Sequence, residues 1–394
     1  MNFILFDEER TNLLPLSYTR PIADFRCGIL TLKEKWEKRI PEGQFSYLTA
    51  DYLSEKYAAQ FDEHKNVYLS GNLLSSNQLV GMIHQLLDGE AMVDSAGNLL
   101  ALRTSKQLNL DEIVAEGYSI KEFKGEAGKI QNLWDVFVMN AQELQKDFEL
   151  LTEGRTSATI SATNTLIGDQ VFLEEGAKVE AATLNSTAGP IYLAKQAEIM
   201  EGTVVRGGLA MGEGAVLKLG AKIYGATTIG PYSKVGGEVN NSVIFGYSNK
   251  GHDGFLGNSV LGEWCNLGAD TNVSNLKNNY ADIKLWNYHK KGFVDSKRQF
   301  CGMMMGDHSK SGINTMFNTA TVVGVSANVY GGGFPRNFIP SFAWGGSEKW
   351  TTYRFERAME VAERMMERRG VDLTETDRKL LQAVFDQSAP FRNF

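Results

Sequence analysis

Apolar residues recur at every sixth position through the middle of the chain. Leu193, Ile199, Val205, Met211, Leu217, Ile223, Ile229 and Val235 follow one another without a miss. Phe255, Leu261, Leu267 and Val273 repeat the spacing, as do Met305, Phe317, Val323 and Val329, with Ser311 in the one odd slot. A helix buries residues with a period near 3.6 and a strand with a period of 2, so six fits neither. It fits a triangular coil. Each hexad supplies one short strand and one corner, and its regular apolar residue points inward. Glycine follows many of these positions, among them Gly212, Gly230, Gly268 and Gly324, where it is expected to relieve crowding at the turn. The pattern predicts a hexapeptide parallel β-helix. Sandwich strands would alternate with period 2 instead.

The coil is expected over about 158–345. Loops interrupt the hexads near 185–190, over 238–254 and, longest, over 275–302, where Trp286, Tyr288 and His289 lie. Loops off a rigid scaffold are where binding groups usually sit.

The flanking segments have other patterns. Phe3–Phe6, Ser46–Thr49 and Val67–Leu69 are short apolar runs of strand type. Ile29–Arg39 looks helical and stops before Pro41; Asn77–Leu87 puts Leu79, Ile83, Leu86 and Leu87 on one face. Alternating strands and helices predict an α/β domain with a parallel sheet covered on both sides. After Ser347 the chain reads as helical, with Phe355, Met359, Ala362 and Met366 on one stripe. Thr374 with Asp377 resembles a capping box opening a last helix over 374–386. This tail is expected to pack on the coil and cover its open end, because an uncovered end exposes unpaired edges.

Composition sharpens the division. Of the 40 glycines, 28 fall within 157–345. The expected domains are therefore 1–156, 157–345 and 346–394. Hydrophobic residues at 43% and charged ones at 22% fit a globular chain. A net charge of −7 speaks against a general nucleic-acid or acidic-membrane surface. Cys27, Cys265 and Cys301 are odd in number and far apart, which gives neither a disulfide framework nor metal-ligand spacing. No leader-like or membrane-spanning run is present, so a cytoplasmic location is expected.

Two segments carry a family resemblance. Leu14-Pro15-Leu16-Ser17-Tyr18-Thr19-Arg20-Pro21 resembles the stretch of sugar-1-phosphate nucleotidyltransferases in which Pro-Leu-Thr leads to Arg-Pro-Lys. In that family a preceding glycine-rich loop wraps the nucleotide phosphates with backbone N–H groups. Here Asp7-Glu8-Glu9-Arg10-Thr11-Asn12 stands in its place, and three carboxylates are expected to face the phosphate position. Ile22 stands where the family has lysine. Gly71-Asn72 matches a Gly-Asp pair that helps hold magnesium in the family. Arg10, Arg20 and Arg26 are the candidate phosphate-binding residues.

The second segment runs from His252-Asp253-Gly254-Phe255-Leu256-Gly257-Asn258 through Asn266-Leu267-Gly268-Ala269 to Thr271 and Asn275. It resembles, without a gap, the acetyltransferase half of the bifunctional N-acetylglucosamine-1-phosphate uridylyltransferase/glucosamine-1-phosphate acetyltransferase, GlmU. The resemblance implies that His252 is a general base, a task suited to an imidazole titrating near neutrality. It implies orienting roles for Asn266 and Asn275. Phe255 replaces a substrate-binding tyrosine, and Asp270 replaces a glycine.

Nearly the whole chain is similar to GlmU-like, glucose-1-phosphate thymidylyltransferase-like proteins of Bacteroidetes. The resemblance implies a degenerate, Rossmann-like nucleotidyltransferase domain, a left-handed parallel β-helix of acyltransferase type and C-terminal helices. The expected function is acyl transfer from acetyl-CoA or another acyl-CoA to an amino sugar phosphate or nucleotide sugar, as in UDP-GlcNAc biosynthesis. The alternative is uridylyl or thymidylyl transfer with Mg2+ and an NTP. A second alternative is a non-catalytic sugar-nucleotide binder or scaffold. The resemblance implies a homotrimer.

Overall fold

The computed structural model describes residues Met1–Phe394. Contacts divide the chain into two compact units. One holds Met1–Leu13, Thr19–Phe25 and Leu30–Gln131; the other holds Leu14–Tyr18, Arg26–Ile29 and Asn132–Phe394. The long continuous part of the second unit begins at Asn132. The reason is the helix Asp135–Thr152, which packs against the coil strands Thr227–Ile229 and Val243–Gly246. Its buried Asn140 donates to the Ala226 carbonyl at 2.8 Å and accepts from the Gly28 N–H at 2.7 Å. Both faces of that amide are therefore satisfied inside the second unit.

The first unit is built on a six-stranded sheet. Its order is Gln44–Leu48, Asn2–Phe6, Asn66–Ser70, Leu99–Thr104, Glu90–Val93 and Ser119–Glu122. The sheet is mixed, which corrects the expectation of a parallel one: Leu99–Thr104 runs antiparallel to both neighbours. A tight turn explains it. The Asp94 carboxylate accepts from the N–H groups of Ala96 and Asn98 and folds Glu90–Val93 back on Leu99–Thr104. Alternation along the first strand buries Phe3 and Leu5 on one side and Ile4 and Phe6 on the other. The first helix spans Leu32–Arg39, later than Ile29, because Thr31 and Glu34 close a capping box there.

The second unit contains the hexapeptide β-helix. Its three faces carry eight, nine and ten strands, visited in that order by each coil. Leu193 lies beside Met211, and Met211 beside Ile229, in parallel pairs. The regular apolar residues from Leu193 to Val235 are all buried in one continuous core.

Two details correct the sequence reading. Leu256, not Phe255, is the inward residue of its coil: Leu256 pairs with Val239 and Val273, whereas Phe255 lies beside Glu238 on the outer surface. The segment 238–254 is also no loop. Glu238–Asn240, Val243–Gly246 and Asn249–Lys250 continue the three faces, with Val243 opposite Thr228 and Asn249 opposite Lys234. That coil is short, so the six-residue spacing lapses while the pairing does not.

The corners have a fixed backbone. The left-handed φ falls three residues after the inward residue, as at Tyr232 (55°), Trp264 (61°), Asp270 (54°), His308 (61°) and Ser326 (53°). The glycine directly after the inward residue acts differently. A Cβ on Gly230 would overlap the Phe245 carbonyl of the next coil, so glycine there permits close stacking.

The insertion after Asn275 forms an antiparallel hairpin, Lys284–Asn287 with Gly292–Asp295. The tail does not start as a helix. Trp350–Thr352 first pairs antiparallel with Ala343–Gly345 and covers the edge of the ten-stranded face. The helices Phe355–Glu367 and Glu375–Gln387 follow, the second capped by Thr374 and Asp377 as expected. Phe385 packs edge-on against the buried Phe342 at 4.9 Å. No helix is long and apolar enough to cross a membrane.

Candidate functional site

Lys250 occupies an inward slot of the coil, opposite Val235, and is buried. A lysine there must find acceptors for its charge. Its Nζ donates to the Gly236 carbonyl at 3.0 Å and to the His252 carbonyl at 2.7 Å. Burial pushes the ammonium down to about 8, against the opposing attraction of Asp253 and Asp270. The next residues leave the ten-stranded face and turn the corner onto the eight-stranded face.

His252 stands exposed on that corner. It borders a cleft with Lys218, Asp253 and Asp270, floored by Gly236, Gly237 and Gly251. The backbone N–H groups of Gly251, His252 and Asp253 donate to nothing within the chain. Gly254 sets the shape of the turn: its φ is +112°, and a Cβ would overlap the Thr271 carbonyl of the next coil. The Asp270 N–H donates to the Asp253 carbonyl at 3.1 Å and fastens the two corners together.

Phe255 and Asn275 come together on the adjoining eight-stranded face. Both lie over Gly257, where an added Cβ would stand 2.6 Å from the Phe255 ring and 2.5 Å from the Asn275 amide nitrogen. Asn275 also donates to the Asn258 side chain at 2.8 Å. His252 lies at one edge of this face and Asn275 at the other. Asn266 is elsewhere: it faces out from the ten-stranded face, between Asn249 and Lys310. The chain therefore gathers Phe255 with Asn275, leaves His252 at the opposite edge of that face, and places Asn266 on another face.

The candidate arginines are placed differently. Arg10 pairs with Asp7 at 3.3 Å and donates to the Tyr52 hydroxyl at 3.1 Å. Arg20 is buried, 3.9 Å from Asp24. Arg26 belongs to the second unit and donates to the Ile29 carbonyl at 2.5 Å. Each one braces local backbone or a neighbouring side chain.

The carboxylates expected to face a phosphate are likewise taken up within the fold. Asp7 is buried; it accepts from the Ile22 N–H at 2.8 Å and from the Thr49 hydroxyl, and burial raises its carboxyl pKa despite Arg10. Glu8 binds Lys129 at 3.1 Å and the Ser70 hydroxyl at 2.9 Å. Glu9 accepts from Asn12. Asn72 is buried and accepts from Ser70 at 2.8 Å. An amide in place of a carboxylate, beside an Asp7 already satisfied, does not fit a magnesium site.

Lys250 was the residue the sequence did not reveal. The available signal was Ile244, Lys250 and Leu256 at six-residue spacing, with a charge in an apolar slot directly before His252.

Residues 3–156 match the family model described as sugar nucleotidyl transferase. The chain is 30% identical over 146 residues to a bifunctional sugar-1-phosphate nucleotidylyltransferase/acetyltransferase of Sulfurisphaera tokodaii, covering 36% of each protein. It is 34% identical over 87 residues to the bifunctional protein GlmU of Methanocaldococcus jannaschii, covering 22% of this chain and 21% of that one. The matches thus span about a third or less of these relatives. Among solved structures, the polySia-specific acetyltransferase NeuO is similar at 11% identity and a TM-score of 0.26, over 48% of this chain and 81% of that one. Likeness at that level says nothing about activity.

Proposed function

We propose that the protein is a transferase of sugar-phosphate or nucleotide-sugar metabolism, and that its β-helix moves an acyl group from acyl-CoA to the amine of an amino sugar phosphate or nucleotide sugar. One arrangement carries this reading. An exposed imidazole, His252, stands on a corner anchored from inside by Lys250, next to three backbone N–H groups with no partner in the chain.

In this reading the His252 imidazole takes a proton from the sugar amine as its nitrogen attacks the thioester carbonyl. A C–N bond forms, the C–S bond breaks, and the proton passes to the departing thiolate. Free N–H groups of residues 251–253 are suited to steady the oxyanion while the carbonyl carbon is tetrahedral. Phe255 and Asn275, over Gly257, would contact the acceptor from the adjoining face. Phenylalanine offers no hydroxyl there, so the acceptor would be held by packing and by the amide.

The test is free thiol released from acetyl-CoA in the presence of a panel of amino sugar phosphates and nucleotide amino sugars. Losing a positioned general base costs about 10²–10⁴-fold in rate. His252→Ala should fall by that factor while melting at the wild-type temperature, because an exposed imidazole buries little. Equal thiol release by wild type and His252→Ala with every acceptor overturns the proposal.

Nucleotidyl transfer in the first unit is the second reading. The family match over 3–156 favours it; the internal engagement of Asp7, Glu8 and Arg10 weighs against it.

A further inference from the structure

A second cleft lies on another side of the coil, between the outer surface of the ten-stranded face and the C-terminal end of the helix Phe355–Glu367. Lys234 and Lys310 enter it from the coil, and Arg368 and Arg369 enter it from the chain after the helix. Asn249 and Asn266 stand between the two lysines on successive strands. No carboxylate lines this cleft, and no residue lines both it and the His252 cleft.

The four cations have no anionic partner. None of them forms an ion pair within the chain. Arg369 donates to the Asn249 side chain at 3.1 Å, and Lys310 donates to the His308 carbonyl at 2.7 Å. The carboxylates that Tyr247 senses nearby, Glu263 and Glu213, do not line the cleft. The crowding bears on two of the cations, Lys234 and Arg369. Burial lowers Lys234, and Arg369, Lys218 and Arg368 lower it further. Burial lowers Arg369, with Arg368 adding to it. Like charges held together in a partly buried cleft are costly unless an anion joins them. The end of the helix offers only about half a negative charge, too little to balance four.

We propose that this cleft binds the phosphate or diphosphate group of a small molecule. Guanidinium forks suit phosphate oxygens, and the two lysines supply point charges from the opposite wall. Asn249 and Asn266 add neutral amide donors. This assigns Asn266 to anion recognition, apart from the His252 corner, and it stands or falls independently of acyl transfer.

Calorimetric titration of the full-length protein at low salt, with inorganic pyrophosphate and with ADP in separate arms, tests the proposal. Saturable one-to-one binding that weakens as sodium chloride is added is expected. Tighter binding of ADP than of pyrophosphate would identify a nucleotide-borne diphosphate; equal binding would identify the free anion. Losing one charged contact should weaken binding about tenfold. Arg368→Gln and Lys234→Gln should each do so. Arg368 is exposed, so its variant should melt like wild type. Lys222→Gln, on the eight-stranded face, should bind as wild type. Absence of saturable heat from both probes at millimolar concentration, or binding left intact by Arg368→Gln and Lys234→Gln together, overturns the proposal.

Discussion

The Lys250 ammonium donates to the His252 carbonyl oxygen at 2.7 Å from inside the coil. The same ammonium holds the Gly236 carbonyl of the preceding coil at 3.0 Å. One buried charge therefore ties two successive corners beneath the candidate base. It touches the His252 backbone and leaves the imidazole free, so Lys250 is a positioning residue.

Lys250→Met tests that role. Methionine fills the apolar slot but cannot donate, and removing a buried charge offsets the two carbonyls left unpaired. The melting temperature should stay near wild type. In the thiol-release assay kcat should fall about tenfold or more, with KM for the acyl donor little changed, because only the placement of the base is disturbed. Unchanged kcat would remove Lys250 from the site.

The buried lysines also set a pH dependence. Burial pushes both Lys250 and Lys310 down to about 8, while an unfolded lysine titrates near about 10.4. Below pH 8 both states are charged, and the fold bears the full cost of the buried charge. Between about 8 and about 10.4 the folded lysines lose their protons while the unfolded ones keep theirs. The unfolded state then binds more protons, so stability rises with pH. Urea melts from pH 8 to 9.5 should show this rise, up to about 1.4 kcal/mol per pH unit for Lys250. Lys250→Met should show a shallower slope. An identical slope in the variant would mean that Lys250 does not titrate in this window.

Sequence periodicity reached the interior of the coil but not its exceptions. Leu193 to Val235 could be read because one side chain per hexad must be apolar wherever three faces close on each other. Phe255 was misread because the step from Leu256 to Leu261 is five residues, so counting back by six from Leu261 lands one position early, and two neighbouring apolar residues leave the choice open. The 238–254 segment was misread for the same reason: hydrogen-bonded pairing tolerates a shortened coil, but a fixed spacing does not. His252 was legible through a motif. Lys250 was not, since a charge in an inward slot looks like a break in the pattern until its carbonyl acceptors are seen. The four cations of the second cleft come from positions 234, 310, 368 and 369, which only the fold brings together.

The cysteines give a check on packing. Cys27, Cys265 and Cys301 are all buried, and burial pushes the Cys265 and Cys301 thiols up to about 12. Thiolate is the reactive form, so none should react at pH 8 in the native protein. A thiol reagent should label none of them within minutes, and all of them in urea. Rapid labelling of the native protein would mean that the coil opens locally.

The outer surface of the eight-stranded face carries Val204, Tyr224 and Met316, each more than a third exposed. These apolar side chains, interspersed with Lys222 and Glu238, offer packing area to a second copy of the chain. A homotrimer is expected, with light scattering at micromolar concentration giving three times the 43.6 kDa chain mass. A Val204→Lys, Met316→Lys double variant should shift the mass toward the monomer. A monomeric wild type would overturn the expectation of a trimer.

Nucleotide binding by the first unit should be weak. The family loop cradles phosphates with glycine backbone, and this chain has Asp7, Glu8 and Glu9 instead. Asp7 is committed to the Ile22 N–H, Thr49 and Arg10; Glu8 is committed to Lys129 and Ser70. Opening this network to admit a triphosphate would unpair Arg10 and Lys129 from their carboxylates. It would also set negative charge against negative charge at a cost on the order of 4 kcal/mol for one close pair. That is about half the free energy of a micromolar complex. Calorimetry with Mg-UTP and Mg-dTTP should therefore give dissociation constants of about a millimolar or weaker for the first unit, with no pyrophosphate released in the presence of a sugar-1-phosphate. The same titrations on Arg368→Gln separate the two units, since binding at the basic cleft weakens about tenfold in that variant while binding to the first unit would persist unchanged. Micromolar binding that survives Arg368→Gln, together with turnover of a sugar-1-phosphate, would place nucleotidyl transfer ahead of acyl transfer.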